Sequence, residues 1–226
     1  MAGAGSGKTR VLTYRAAYLL EKGVPPWAIL AITFTNKAAR EMRERINRLA
    51  GEAADDMWVM TFHALSARIL RRDIEKLGYK REFSIYDDDD QMTLIKRILK
   101  KLDISDKSYP PRAVKSVISD AKNHMLSPEE WLKDNPDFRS KPYYRAYCEY
   151  EKELKENNAL DFDDLILKTL ELLTEHPPVL EVYRRQFSYI MVDEYQDTNM
   201  AQYMLVRTLA GDKKNVCVVG DDDQSI

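Results

Sequence analysis

The segment Ala2-Gly3-Ala4-Gly5-Ser6-Gly7-Lys8-Thr9 has the residue types and spacing of a phosphate-binding loop, with Ala2 where the first glycine usually stands. Glycines let backbone N–H groups turn toward phosphate oxygens, and a helix that follows points the positive end of its dipole at them. Lys8 is long enough to reach the β and γ phosphates, and the Thr9 hydroxyl is a ligand for Mg2+. The candidate nucleotide contacts are Ala4, Gly5, Ser6, Gly7, Lys8, Thr9 and Arg10. A loose glycine-rich tail would share this composition, but helical periodicity begins directly after it. Such a loop normally follows a strand, and none is legible ahead of it; the expectation is that the natural start lies upstream of Met1.

A second group of chemical residues is Asp193-Glu194, which follows the apolar run Tyr189-Ile190-Met191-Val192. Two adjacent carboxylates at the end of a strand suit nucleotide hydrolysis. One, Asp193, helps to hold Mg2+, and the other, Glu194, orients and deprotonates the attacking water. A helix N-cap would also favour Asp, but the phosphate loop argues for the chemical role. A third group, Gly220-Asp221-Asp222-Asp223-Gln224, follows Val216-Cys217-Val218-Val219. Gln224 is placed to sense a γ-phosphate, while three adjacent aspartates repel one another and are expected mostly in water.

These groups need a frame. Leu12, Ala16, Leu19 and Leu20 recur at helical spacing until Gly23, Pro25 and Pro26 end the run. Ile29-Leu30-Ala31-Ile32 reads as a buried strand, and Ala38, Met42, Ile46 and Leu49 as the apolar stripe of the next helix. Trp58-Val59-Met60 is a second short strand, and Leu65, Ile69 and Leu70 mark another helix. From about Glu82 to Asn158 the signals turn helical: Asp87 to Asp90 ahead of Leu94, Ile95, Ile98 and Leu102, then Val114, Val117, Ile118 and Ala121. Tyr143, Tyr147, Tyr150 and Leu154 form an aromatic stripe, read as helix packing rather than a base-stacking platform. Apolar strands that alternate with helices and end in polar residues describe a parallel α/β sheet, with ligands gathering at the carboxyl ends of the strands. The helical block then sits as an insertion between two halves of that sheet.

Composition narrows the classes. The chain has 226 residues, 44% hydrophobic and 32% charged, which is globular and not disordered. No apolar run approaches the roughly 20 residues that span a bilayer. Cys148 and Cys217 are the only cysteines, which argues against a disulfide framework or a cysteine zinc site and fits a reducing cytoplasm. With a net charge of −2, the chain lacks the basic excess of a protein that grips nucleic acid through phosphates alone. Any DNA site must be local.

Taken in order, the phosphate loop, Thr33-Phe34-Thr35-Asn36-Lys37-Ala38-Ala39, Thr61-Phe62-His63, Leu160-Asp161-Phe162-Asp163-Asp164-Leu165, Val192-Asp193-Glu194-Tyr195-Gln196-Asp197-Thr198 and Gly220-Asp221-Asp222-Asp223-Gln224-Ser225-Ile226 resemble superfamily I helicases of the UvrD, PcrA and Rep type across essentially the whole chain. The resemblance implies a RecA-like P-loop NTPase sheet, from residues 1–82 and 159–226, with an all-helical subdomain inserted at 83–158. It implies ATP and Mg2+ as cofactors, Lys8 and Thr9 as the Walker A pair, and Asp193 and Glu194 as the Walker B pair. Gln224 would couple the γ-phosphate to DNA, and Thr33, Phe34, Thr35, Asn36 and His63 would line a track for single-stranded DNA. Hydroxyls and amides suit phosphates, and an aromatic ring can stack on a base. Plainer roles exist too: Thr35 can cap the next helix, Phe34 can be core, His63 can pack, and the acidic 161–165 stretch can cap the helix bearing Ile166 and Leu170.

The implied function is the first motor domain of an ATP-dependent 3′–5′ DNA helicase or translocase, cytoplasmic, acting on single-stranded and partly duplex DNA in repair or replication. The family's adenine-reading glutamine motif, its base-gripping aromatic and arginine segment and its second motor domain have no counterpart in this sequence. The expectation is therefore a chain that alone hydrolyses ATP slowly and unwinds nothing. A non-catalytic nucleotide- or DNA-binding fragment, and the motor of a helicase–nuclease, are the alternatives.

Overall fold

A computed structural model describes residues 7–213 and 215–221, the side chains of 52–54 and 213 excepted. In chain order the elements are α1 (Lys8–Glu21), β1 (Ile29–Thr33), α2 (Asn36–Ala50), β2 (Trp58–Thr61), α3 (Phe62–Asp73), β3 (Ser84–Ile85), α4 (Asp88–Lys101), α5 (Pro111–Asn123), α6 (Pro128–Asp134), α7 (Lys141–Glu156), β4 (Ala159–Leu160), α8 (Phe162–Glu175), α9 (Pro177–Gln186), β5 (Tyr189–Val192), α10 (Met200–Ala210) and β6 (Val216–Val218). They divide into two compact units. The first comprises Met1–Arg68, Leu173–Thr198 and Gln202–Ile226, and the second Ile69–Leu172 with Asn199–Ala201.

The first unit is built on a four-stranded sheet in the order β2-β1-β5-β6, with every pairing parallel. All five residues of β1 are buried, as a central parallel strand covered on both faces must be. Leu12, Ala16 and Leu19 of α1 and Ala39, Met42 and Ile46 of α2 pack with Ile29, Ala31, Val59 and Met191 in one cluster. The expected strands 29–32, 58–60 and 189–192 all form. The stripe of α2 is corrected in detail: Ala39, not Ala38, is buried, and Leu49 is 44% exposed. The run of 39, 42 and 46 follows the 3.6-residue helical period, and the last turn of α2 carries Leu49 past the edge of the cluster.

Local signals set the starts of the helices. Gly7, in the left-handed region at φ 83°, precedes α1. The Thr35 hydroxyl accepts the Ala38 N–H at 3.1 Å, and Thr61 accepts that of Ala64 at 3.2 Å, so each caps the helix that leaves its strand.

The second unit is mainly helical, with β3 and β4 forming a two-stranded parallel ladder. Leu94, Ile95, Ile98, Val114, Ile118, Ala121, Tyr147, Tyr150 and Leu154 share its core. Asp87 and Asp90 form a reciprocal capping box at the start of α4. The tyrosine stripe of α7 packs inward, with Tyr143 edge-on to Tyr109 and Trp131. The acidic stretch caps its helix: Asp161 accepts the Asp164 N–H at 2.7 Å, and Asp164 accepts that of Asp161 at 3.3 Å.

Those two carboxylates also do something no local pattern foretells. They meet Lys122 of α5, which is 1% exposed, at 2.8 Å each. Glu151 approaches the same ammonium to 2.7 Å as a charge contact without hydrogen-bond alignment. The Tyr150 hydroxyl donates to Asp161 at 3.0 Å. Burial works against the charge on Lys122, but the surrounding carboxylates more than offset it and hold its pKa well above the ordinary value. Burial drives Asp164 well up, with the charges of Asp161 and Glu151 adding to it. Removing one partner of such a cluster leaves uncompensated buried charge. Lys122→Ala is therefore expected to lower the unfolding free energy by about 3–5 kcal/mol in urea titrations. Lys152→Ala, which removes only exposed contacts to Glu149 and Glu156, should change it by no more than about 0.5 kcal/mol.

Candidate nucleotide-binding site

All strands of the main sheet run the same way, so their carboxyl ends gather Thr33, Thr61, Asp193 and Asp221 along one edge. The first residues of α1 reach the same edge. The Thr9 hydroxyl donates to Asp193 Oδ2 at 2.9 Å. Asp193 is 4% exposed, its own N–H is bonded to Ile32 O at 3.0 Å, and its Oδ1 accepts the Glu194 N–H at 3.1 Å. Burial pushes the Asp193 carboxyl above its ordinary value; the Thr9 bond opposes this and the neighbouring Glu194 charge adds to it.

Lys8 Nζ lies 2.5 Å from Asp221 Oδ2 in the loop after β6. That loop is drawn toward the one after β5 by Tyr195 N–H to Val219 O at 2.9 Å. Glu194 adopts φ 50°, ψ 45°, left-handed for a residue with a Cβ. Its carboxylate accepts a hydrogen bond from Gln196 Nε2 at 2.8 Å. Gln196 Oε1 in turn accepts the Asp221 N–H at 2.9 Å. Four of the expected chemical residues, Lys8, Thr9, Asp193 and Glu194, thus stand together. Gln196 belongs there too, and sequence reading gave it no role. Its position inside the run Asp193 to Thr198 was the one available signal. Arg10 is exposed on the first turn of α1. Ala4, Gly5, Ser6 and Gln224 lie outside the described residues.

The donors fit a hard cation. A hydroxyl and a carboxylate are oxygen ligands of the kind Mg2+ takes, usually with phosphates and waters making up the rest. No group of three or more His, Cys, Asp or Glu that could hold a metal ion occurs among the described residues. A single buried carboxylate whose burial disfavours its charge is what a bound cation would relieve.

The remaining expected contacts sit beside this site on the same edge. Thr33 is 1% exposed and its hydroxyl donates to Thr35 O at 3.2 Å. Phe34 is half-buried and packs edge-on to the buried Phe62, with ring centres 5.4 Å apart. Asn36 is exposed and His63 half-buried. Among the described residues, no helix is long and apolar enough to cross a membrane.

A sequence model of the UvrD/REP helicase N-terminal domain matches residues 1–226. The chain is 56% identical over its whole length to an ATP-dependent DNA helicase PcrA of Bacillus subtilis (strain 168), and it spans 31% of that relative. It is similarly 53% identical to the ATP-dependent DNA helicase PcrA of Staphylococcus aureus (strain Mu50 / ATCC 700699) and 54% identical to that of Staphylococcus epidermidis, in each case over the whole chain and 31% of the relative. With the RecA-like parallel sheet, these matches show that the chain belongs to the UvrD/REP helicase N-terminal domain family.

Proposed function

We propose that this chain is the ATP-binding first motor domain of an ATP-dependent 3′–5′ DNA helicase that moves on single-stranded DNA. The observation that carries the reading is the Thr9 hydroxyl on the Asp193 carboxylate, with Lys8 and Glu194 beside them. Lys8 would take the β and γ phosphates. Thr9 and Asp193 would hold Mg2+, which when bound neutralises charge on the phosphate oxygens. Glu194 would orient the attacking water and accept its proton. Asn36, Phe34 and His63 would meet the DNA strand, while Thr33 acts from behind by fixing the Thr35 carbonyl. Thr35 has its oxygen committed to α2 and keeps a hydroxyl hydrogen for a phosphate.

Lys8 lies on the Asp221 carboxylate, so a bound phosphate would replace one anionic partner of the lysine by another. Titration of a fluorescent Mg2+-ATP analogue should give saturable binding, and Lys8→Ala should weaken it by about tenfold or more through loss of a charge-assisted contact. Equal affinity in a folded variant would sink the proposal.

The raised pKa of Asp193 has a definite sign. Below the ordinary value of 3.8 the carboxyl is protonated both folded and unfolded, and burial carries no penalty. As pH rises past the folded value, the charged form is disfavoured in the folded state, so stability is lost. Asp193→Asn keeps both contacts, because the Thr9 hydroxyl can accept as well as donate. The nucleotide-free variant should melt a few degrees higher than the parent at pH 7, with the gain gone by about pH 4. Its stabilisation by Mg2+-nucleotide should shrink. Differential scanning calorimetry across that pH range reads both effects.

A further inference from the structure

We infer that Gln196 is the positioning residue that aims the Glu194 carboxylate at the attacking water and ties it to the loop holding Asp221. This rests on the reading of Glu194 given above. Gln196 uses both ends of its amide. Nε2 donates to Glu194 Oε2 at 2.8 Å and, more weakly, to Asp197 Oδ2 at 3.3 Å. Oε1 accepts the Asp221 N–H at 2.9 Å. A backbone donor on one side and a carboxylate on the other leave only one orientation of the amide that makes both bonds. The side chain is therefore directional, and neither a carboxylate nor a simple hydroxyl reproduces it.

The surroundings are shaped for it. A Cβ built on Gly220 would stand 2.7 Å from Gln196 Oε1 and 3.2 Å from Gln196 N, so the glycine keeps that space open. Asp221 carries the amide bond on its backbone and the Lys8 contact on its side chain. A continuous chain of contacts thus runs from the phosphate-loop lysine through Asp221 and Gln196 to Glu194. In the reaction, the water oxygen bonds to the γ-phosphorus as the bond to the bridging β,γ oxygen breaks. The water proton passes to Glu194, and the bond pair leaves with ADP. Gln196 would act through Glu194, by fixing where the accepting oxygen stands.

The test uses the whole 226-residue chain. Hydrolysis of radiolabelled Mg2+-ATP is followed under single-turnover conditions, and affinity for a fluorescent non-hydrolysable analogue is measured in parallel. Gln196→Met keeps the length of the side chain and removes both bonds. Gly220→Ala displaces the amide without altering Gln196. Both should bind the analogue within about threefold of the parent and hydrolyse about 10- to 100-fold more slowly, as expected for a misplaced group. Joined to Glu194→Gln, Gln196→Met should add almost nothing, because the two act as one unit. Normal hydrolysis by Gln196→Met beside a slow Glu194→Gln would overturn this inference alone, as would a loss of binding that matches the loss of rate. No hydrolysis by the parent, or a Glu194→Gln as fast as the parent, would remove the proposed function and this inference with it.

Discussion

One hydrogen bond joins the two ends of the chain's chemistry. Thr9 and Asp193 are 184 positions apart, yet the hydroxyl and carboxylate meet at 2.9 Å. What makes this possible is the parallel sheet. β5 lies beside β1, so the residue after β5 comes out where the residues after β1 and β6 do. The helix after the phosphate loop packs on the same cluster that backs β1 and β5. Once the sheet is in register, the two motifs have little freedom to miss each other. Most of the intervening chain belongs to a separate unit with its own core. Loop-closure entropy grows only logarithmically with length, so a long detour between two strands is tolerated if it folds on its own terms.

The two units surround buried acids with different partners. Around Lys122, one ammonium faces three carboxylates and a tyrosine hydroxyl, so the acids share a cation even though burial still drives Asp164 well up. Such a cluster fixes how α5, α7 and the start of α8 come together. Around Asp193 the contacts are dipoles, a threonine hydroxyl and a backbone N–H. Burial disfavours its charge, and the adjacent Glu194 makes the penalty larger. A carboxylate held in that condition binds a cation more readily than one already satisfied. The contrast separates a structural ion cluster from a site, although both are buried acids in sequence.

Local features were legible in the sequence where the physics is local. The apolar runs at 29–32, 58–60 and 189–192 read as strands because a central parallel strand is buried on both faces. Asp87, Thr35 and the 161–164 pair were legible as caps because a cap depends on residues three apart. The glycine-rich segment ahead of Lys8 and the acidic pair marked a candidate site by residue type and spacing. What stayed hidden depends on distant partners. Nothing near Lys122 announces that it will be buried against residues about 40 positions on. Leu49 has the right period for α2 but lies beyond the surface that α2 covers, and only packing decides that. Gln196 was visible as a letter in a motif, but its role needs the Asp221 loop beside it.

The strained backbone at Glu194 connects these points. A left-handed conformation at a residue with a Cβ costs roughly 1–2 kcal/mol, and it persists only where the surroundings determine it from several sides. Here the surroundings can be named. Asp193 holds the Glu194 N–H, the next N–H is bonded across to Val219, and Gln196 holds the carboxylate. Relaxing Glu194 to an ordinary conformation would swing its side chain away from Gln196 and break the path to Asp221. The strain therefore stays because three contacts made by neighbours outweigh it, and one of them, Tyr195 N–H to Val219 O, crosses to the β6 side of the sheet. An element that can change when Lys8 exchanges Asp221 for a phosphate is thereby placed one residue from the carboxylate that would do the chemistry.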